Sequence, residues 1–414
     1  MPIISPRTRR LALPVAGAVV VALLAGCSST ADTSDTSEGS ADFDGIELTV
    51  WNNIDFDPYQ TLQKEYFEEC AADLGITVDV QTLSGDYTTS LLQAASSQSL
   101  PDIALLSTDT QLPQLAEQGV LADLGELGIT TDGLADAVAD LGRYDGTLYG
   151  LTVQVEDYSI FYNVEAFEEA GITELPTTFE ELIAAAKATT TDDRYGIALP
   201  GIAGDGSTSS YFLPFLLSAG GDPADLTGDG AVAAVDLYKT LVDDGSLSQE
   251  FVNWGWDSID QWTSGAAAIT VSGPWNLVDT SIDFEYGTFS IPGATSADES
   301  SVGLLGYTYG IAEQGDETRK QAAAALIECR ASEENQIDTA VQGGYVPALT
   351  SAQEAFVEEI PEAEAFVTPV ENAFNPASLG TEWNTLQQQY VDALQDATVN
   401  GTSAEEALSK AAQG

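Results

Sequence analysis

Gly45-Ile46-Glu47-Leu48-Thr49-Val50-Trp51 alternates apolar and polar residues as a half-buried strand does. Asp57-Pro58 follows, an N-cap residue before an N1 proline, and Leu62, Tyr66, Cys70 and Leu74 then recur at helical spacing up to Gly75. Ile76, Val78 and Val80 predict the next strand, and a second helical stretch runs to about Ser99. Pro101-Asp102-Ile103-Ala104-Leu105-Leu106 reads as a buried strand. Strand, helix, strand, helix, strand with short connections predicts a parallel sheet with helices on both faces. In such sheets the ligand crevice lies beyond the carboxyl ends of the strands, which here carry Trp51-Asn52-Asn53 and Ser107-Thr108-Asp109.

Downstream, Arg143 to Gly150 is a hairpin signal, with Asp145-Gly146 supplying the positive-φ positions of a tight turn. Leu151 to Tyr162 is extended and breaks the helix–strand rhythm, as a crossing between two lobes would. Thr178 and Glu181 form a capping box that opens a helix from Phe179 to about Thr189. A second alternating region ends in Gly273-Pro274-Trp275, and Leu304 to Ile311 is extended again before an amphipathic helix from about Glu317 to Arg330. Crossings are thus expected at about 151–156 and 306–311. Leu386, Tyr390 and Leu394 mark helices near the C-terminus.

At 414 residues the chain is too long for one ordinary core and suggests two lobes. Its 66 acidic against 12 basic residues give a net charge of −54, which excludes an electrostatic nucleic-acid binder. There is no histidine, so His-based triads and imidazole metal sites are excluded as well. Three cysteines rule out a disulfide-dense scaffold. Cys70 and Cys329 both fall on helical patterns, and either a disulfide or two buried thiols fits.

Arg7, Arg9 and Arg10 precede an uncharged apolar run from Leu11 to Gly26, short for a membrane span and suited to a secretory signal. It ends in Leu24-Ala25-Gly26-Cys27, which resembles the bacterial lipoprotein processing box. That resemblance implies a signal peptide over residues 1–26, lipidation of Cys27 and a stable acyl anchor on the extracytoplasmic face of the cell membrane. Residues 27–44, rich in Ser, Thr, Asp and Gly, read as a flexible tether.

Taken in order, several motifs resemble the sugar-binding lipoproteins of ABC importers, the extracellular solute-binding proteins that include maltose-binding protein. They are Tyr144-Asp145-Gly146-Thr147-Leu148-Tyr149-Gly150-Leu151, Phe161-Tyr162-Asn163, Phe167-Glu168-Glu169-Ala170-Gly171-Ile172 and Pro176-Thr177-Thr178-Phe179-Glu180-Glu181-Leu182. Phe215-Leu216-Leu217-Ser218-Ala219-Gly220-Gly221-Asp222, Ser272-Gly273-Pro274-Trp275 and Ser403-Ala404-Glu405-Glu406-Ala407-Leu408 complete the set. The resemblance implies an α/β, two-lobed periplasmic-binding-protein-like fold with hinge-crossing strands and a ligand cleft. Lobe 1 would comprise 45–153 plus 311–347, and lobe 2 154–310 plus 348–414. It also implies a monomer without cofactor or catalytic residues, closing on a carbohydrate and docking on the transmembrane permease subunits.

A sugar site needs aromatic plates for C–H faces and amide or carboxylate groups for hydroxyls. Trp275, after Gly273-Pro274 at a strand end, matches the family's stacking aromatic, with a core tryptophan as the bland alternative. Trp51 reads as plate or core, while Asn52, Asn53 and Asp55 lie on the loop expected to face the cleft. Asp109 matches a sugar-hydrogen-bonding position and would otherwise cap the following helix. Glu156 and Gln154 match polar contacts near the first crossing, or hinge hydrogen bonds. Tyr211 and Trp383 match further stacking positions. Trp254, Trp256, Tyr307, Tyr309 and Tyr345 stay unsorted between rim and core. Without a lysine in Trp51-Asn52-Asn53-Ile54-Asp55, and with Thr108 and Thr110 around Asp109, the cleft departs from maltose-binding protein. A disaccharide or another oligosaccharide is therefore the expected ligand.

Two other functions compete: a binder of a cationic solute such as a polyamine, because acidic clefts attract cations, and an exported glycoside hydrolase. Asp225-Leu226-Thr227-Gly228-Asp229-Gly230 with Asp236 partly resembles a calcium loop, or is a turn with Asp229 capping the next helix.

Overall fold

The computed structural model describes residues 43–413 apart from Asp205 and Thr381. The signal peptide, Cys27 and nearly all of the tether lie outside them. Folded chain begins slightly before the expected end of the tether: Phe43 is buried in the first core, and its carbonyl accepts from Ile46 N–H at 3.1 Å. Among the described residues, no helix is long and apolar enough to cross a membrane.

Two lobes, each built on a sheet, organise the chain. The first sheet contains β1 (Glu47–Asn52), β2 (Thr77–Thr82), β3 (Ile103–Ser107), β6 (Leu151–Glu156), β11 (Leu305–Ile311) and β12 (Val346–Pro347). β4 (Arg143–Tyr144) and β5 (Thr147–Leu148) form the hairpin before β6. The second sheet contains β7 (Ser159–Asn163), β8 (Tyr195–Ala198), β9 (Ala267–Ser272) and β10 (Tyr286–Phe289). Strand order is β12-β6-β11-β3-β1-β2 in the first and β10-β7-β9-β8 in the second.

β1, β2 and β3 are parallel, as the alternation of strand and helix predicts. Helices α1 (Tyr59–Leu74), α2 (Tyr87–Ser96) and α3 (Gln111–Glu117) connect or follow them. α1 buries Leu62, Tyr66 and Cys70 on one stripe and stops at Gly75, whose left-handed backbone (φ 71°) closes the last turn. Its start differs from expectation. Pro58 rather than Asp57 occupies the cap, after a cis peptide bond, and the Asp57 carboxylate accepts from the Thr61 hydroxyl at 2.7 Å. The Thr178–Glu181 capping box forms as predicted.

The two extended segments expected at the crossings, β6 and β11, pair in the first sheet, and each adjoins a stretch of chain that passes between the sheets. β11 pairs antiparallel with β3 from Tyr307 opposite Ser107 to Ile311 opposite Ile103, and with β6 on its other side. The passage to the second sheet comes just after β6, at Asp157-Tyr158, both fully buried. Extended backbone looks the same in sequence whether it crosses or pairs, because its partners lie far along the chain.

Each sheet has its own core. Leu48, Val50, Ile103 and Leu105 pack with Phe67, Tyr309 and Leu326 in the first; Ile160, Ile197, Ile269 and Val271 pack with Phe212, Phe215 and Tyr238 in the second. A third apolar cluster joins the two beside the crossing, drawing Val155 and Val346 from one sheet and Phe161 from the other around Trp262. Cys70 and Cys329 form a disulfide between α1 and the helix Glu317–Arg330, which decides between the two thiol states. Asp225 spends a carboxylate oxygen on the Thr227 N–H and hydroxyl, and Asp229 opens the helix Asp229–Asp243 after Gly228. That stretch is a turn. Among the described residues, no group of three or more metal-ligating side chains converges there or elsewhere.

Candidate functional site

The strand directions decide where a ligand can lie. β6 and β3 are both antiparallel to β11, so β1, β3 and β6 all end at the same edge of the first sheet. Asn52, Ser107 and Glu156 are the last residues of those strands. In the second sheet β9 ends beside the start of β7, with Ser272 opposite Ser159. The short link Asp157-Tyr158 therefore joins the carboxyl edge of one sheet to that of the other. It is the crevice position expected of open α/β sheets.

Register places side chains as well as strands. Val50 faces Ile103, Tyr307 faces Ser107, and Gln154 faces Tyr307, so Asn52, Ser107, Tyr307 and Gln154 share one face of the sheet. Glu156, two residues beyond Gln154, points the same way. Trp51 points the other way. Its ring packs on the Tyr87–Leu112 cluster and its Nε1 donates to Gln81 Oε1 at 3.1 Å, so it is separated from this group.

Trp275 sits on the opposing edge, half-buried in the turn Pro274–Val278 directly after β9. It packs against the cores of both sheets. Tyr158 meets it edge-on at 6.0 Å between centroids, and Tyr345 lies tilted at 6.2 Å. From Tyr345 the rings continue to Tyr59 at 4.7 Å; from Tyr158 they continue to Tyr211 at 4.8 Å and the exposed Trp256 at 5.9 Å from it. Tyr59 donates its hydroxyl hydrogen to Gln154 Oε1, tying the aromatic run to the polar edge.

Two glycines let Trp275 take this position. The indole folds back over Gly273, where a Cβ would come within 2.1 Å of the ring. Gly344, at φ 74° before β12, abuts the Trp275 backbone so closely that a Cβ would lie 2.6 Å from the Trp275 Cα and the Pro274 carbonyl oxygen. Gly344→Ala is expected to destabilise by about 1–2 kcal/mol from backbone strain alone and to weaken ligand binding by displacing the turn. Thermal denaturation and titration calorimetry check both effects; unchanged values for both would refute the packing argument.

Asp109 and Glu156 form an acidic pair at the first edge. Burial, and then the neighbouring Asp109 charge, pushes Glu156 up to about 8; burial also raises Asp109. Glu156 acts electrostatically on Tyr59, Tyr158, Tyr307 and Tyr345, which marks these phenols as its surroundings. The pH consequence runs opposite to that of a salt-bridged carboxylate. Between the ordinary value of 4.5 and about 8 the folded chain keeps a proton that the unfolded chain has lost, so Glu156 makes stability fall as pH rises through that window. Glu156→Gln is expected to flatten this decline and to leave the variant the more stable protein above pH 8. Paired melting curves from pH 5 to 9 measure it, and parallel curves would refute it.

The remaining expected residues are scattered. Asn53 is half-buried with an unpartnered Oδ1, and Asp55 is exposed, accepting from the Ser84 hydroxyl at 3.4 Å. Asp109 does not cap α3: Thr110 precedes that helix, and no side-chain cap bond forms. Tyr211 is buried but reaches the site through its contact with Tyr158. Trp383 lies inside the second core on the helix Glu382–Val399. Tyr158 and Asp157 were not singled out from sequence; their position directly after Glu156 is the one signal that pointed to them.

Similarity to known proteins agrees with this geometry. The chain matches the profile of bacterial extracellular solute-binding proteins over residues 65–368. It belongs to that family. Among relatives of this solute-binding protein, the diacetylchitobiose-binding protein DasA of Streptomyces coelicolor is 24% identical over 379 residues, covering 83% of both chains. The galactooligosaccharide-binding protein of Bacillus subtilis is 24% identical over 421 residues, covering 96% of this chain and 94% of its own. The crystal structure of the cyclic α-maltosyl-1,6-maltose-binding protein from Arthrobacter globiformis shares the fold. Its TM-score is 0.77 at 23% identity, over 89% of this chain and 97% of that one.

Proposed function

We propose that this solute-binding protein captures a disaccharide or oligosaccharide between its lobes, closes over it, and delivers it unaltered to the permease of an ABC importer. The observation that carries the reading is Trp275, an indole held at one strand edge and packed against both cores, opposite a row of polar strand ends. An aromatic face and convergent hydrogen-bonding groups are what a sugar's C–H face and hydroxyls require. Contacts to both lobes give the bound ligand its preference for the closed state. Trp275, Tyr211, Asp109, Glu156, Gln154, Asn52 and Asn53 are the proposed contacts. The names of relatives that bind diacetylchitobiose and galactooligosaccharides support a carbohydrate over other solutes.

Anchoring at Cys27 and action as a monomer on the extracytoplasmic face belong to the same proposal. The lipobox Leu24-Ala25-Gly26-Cys27 supports the anchor. A glycan array with neutral and charged oligosaccharides, followed by melting shifts for the hits, tests the binding claim, since a ligand stabilises by RT ln(1 + [L]/Kd). Binding without cleaved products is expected. No glycan hit, or hydrolysis of the hits, would overturn it. Metabolic labelling with a fatty acid, lost in Cys27→Ser, tests the anchor.

A further inference from the structure

The carboxyl groups at the site have no basic partner, although Asp109 accepts from the Thr110 hydroxyl at 3.4 Å. Asp157 is fully buried and both of its carboxylate oxygens are without a hydrogen bond. Asp109 and Glu156 stand nearby, and no basic side chain acts on any of the three. Among the described residues the basic side chains are accounted for elsewhere. Lys64, Arg143, Arg194, Lys239, Arg319, Lys320 and Lys410 all pair with other carboxylates. Lys187 lies in the last turn of the helix Phe179–Thr189. Arg330 is buried, donating to Gln63 at 3.3 Å and Thr339 at 3.0 Å and lying over the Tyr66 ring.

Independent of the acids, two amide side chains on the same sheet face are more than nine-tenths buried and incompletely bonded. Asn52 Oδ1 has no donor, and Gln154 Nε2 has no acceptor although Tyr59 holds the other end of that amide. A buried polar atom without a partner costs free energy that an incoming ligand can recover.

We infer that the cleft is built for an oligosaccharide bearing a protonated amine, an amino sugar, with Asp109 and Glu156 as its counter-charge. The inference rests on the carbohydrate reading above and narrows it. An ammonium group offers three donors and no acceptor, which matches the two carboxylates; Asn52 Oδ1, three strands from Glu156, and Gln154 Nε2 serve hydroxyls of the rings. The tyrosine and tryptophan faces around the pair favour a cation as well as sugar C–H groups. A neutral sugar would leave the carboxyl groups to be neutralised by protons alone. A simple polyamine would use the charge but, having no acceptor, would leave the Gln154 Nε2 donor unmatched.

The test is calorimetric titration of the full mature chain near pH 6.5 with oligosaccharides in matched sets. Each set carries a free amine, an N-acetyl group or a hydroxyl at the same carbon, in α-1,4 and β-1,4 linkage. The amine form is expected to bind at least tenfold more tightly than its two counterparts, with the margin shrinking as salt is raised. In Asp109→Asn combined with Glu156→Gln the three forms should bind alike; if that variant does not fold, the comparison within the unmodified chain stands alone. Equal or tighter binding of the neutral forms overturns the inference and leaves the carbohydrate reading intact. Binding of spermidine with no glycan hit overturns both, and no binding by any matched set overturns the inference.

Discussion

Trp275→Ala should lower carbohydrate affinity at least about 30-fold, roughly 2 kcal/mol, the scale of an aromatic anchor at the centre of an interface. The indole is half-buried and touches both cores, so its removal takes away the plate and opens a gap where the lobes meet. A useful contrast is Trp262, which is fully buried between Phe161, Phe284 and Tyr286 and has no face toward the cleft. Trp262→Ala should cost about 3–5 kcal/mol of folding stability as a core cavity. Trp275→Ala should lose affinity out of proportion to its smaller loss of stability. Calorimetry with the strongest array hit, beside denaturant titrations of both variants, separates the two. Unaltered affinity in Trp275→Ala would remove the foundation of the proposed function.

Breaking the Cys70–Cys329 bridge is the second large expected effect, on stability rather than binding. The bridge links residues 259 apart in sequence; a native disulfide is typically worth about 2–4 kcal/mol, and constraint of the unfolded chain by so long a loop places this one at the upper end. Cys70→Ala with Cys329→Ala, or reduction of the unmodified chain, should lower the denaturant midpoint accordingly. Affinity should hold, because Cys70 lies about three helical turns along α1 from Tyr59, the residue of that helix that meets the site. A midpoint indifferent to reductant would show that the bridge does not form in solution.

Local pattern revealed the elements that depend on neighbours in sequence. Alternation placed β1 and β2, a short apolar run placed β3, and Thr178 with Glu181 announced a helix start that forms as expected. What depended on remote partners was hidden. For the crossings expected at 151–156 and 306–311, nothing within the segments says that β3 and β12 will pair beside them. Among the site residues, two displacements were foreseeable from periodicity alone. Trp51 alternates with Asn52, so both cannot face the same way. Trp383 continues the stripe of Leu386, Tyr390 and Leu394, which faces the core. Gly344 was not foreseeable, and for Tyr158 the sequence offered only its place directly after Glu156. Their roles come from contact with Trp275, more than sixty residues away in sequence from the nearer of the two.

The two-residue link after β6 has a mechanical corollary. Glu156, the proposed detector of the guest, is followed at once by Asp157-Tyr158, one passage between the two sheets, and then by Ser159 of the second sheet. In many switches a signal must travel tens of ångströms through packed side chains before anything pivots. In the proposed closure, the sensing residue and a passage between the lobes would occupy adjoining peptide units, so torque would pass along the main chain itself, with no relay in between.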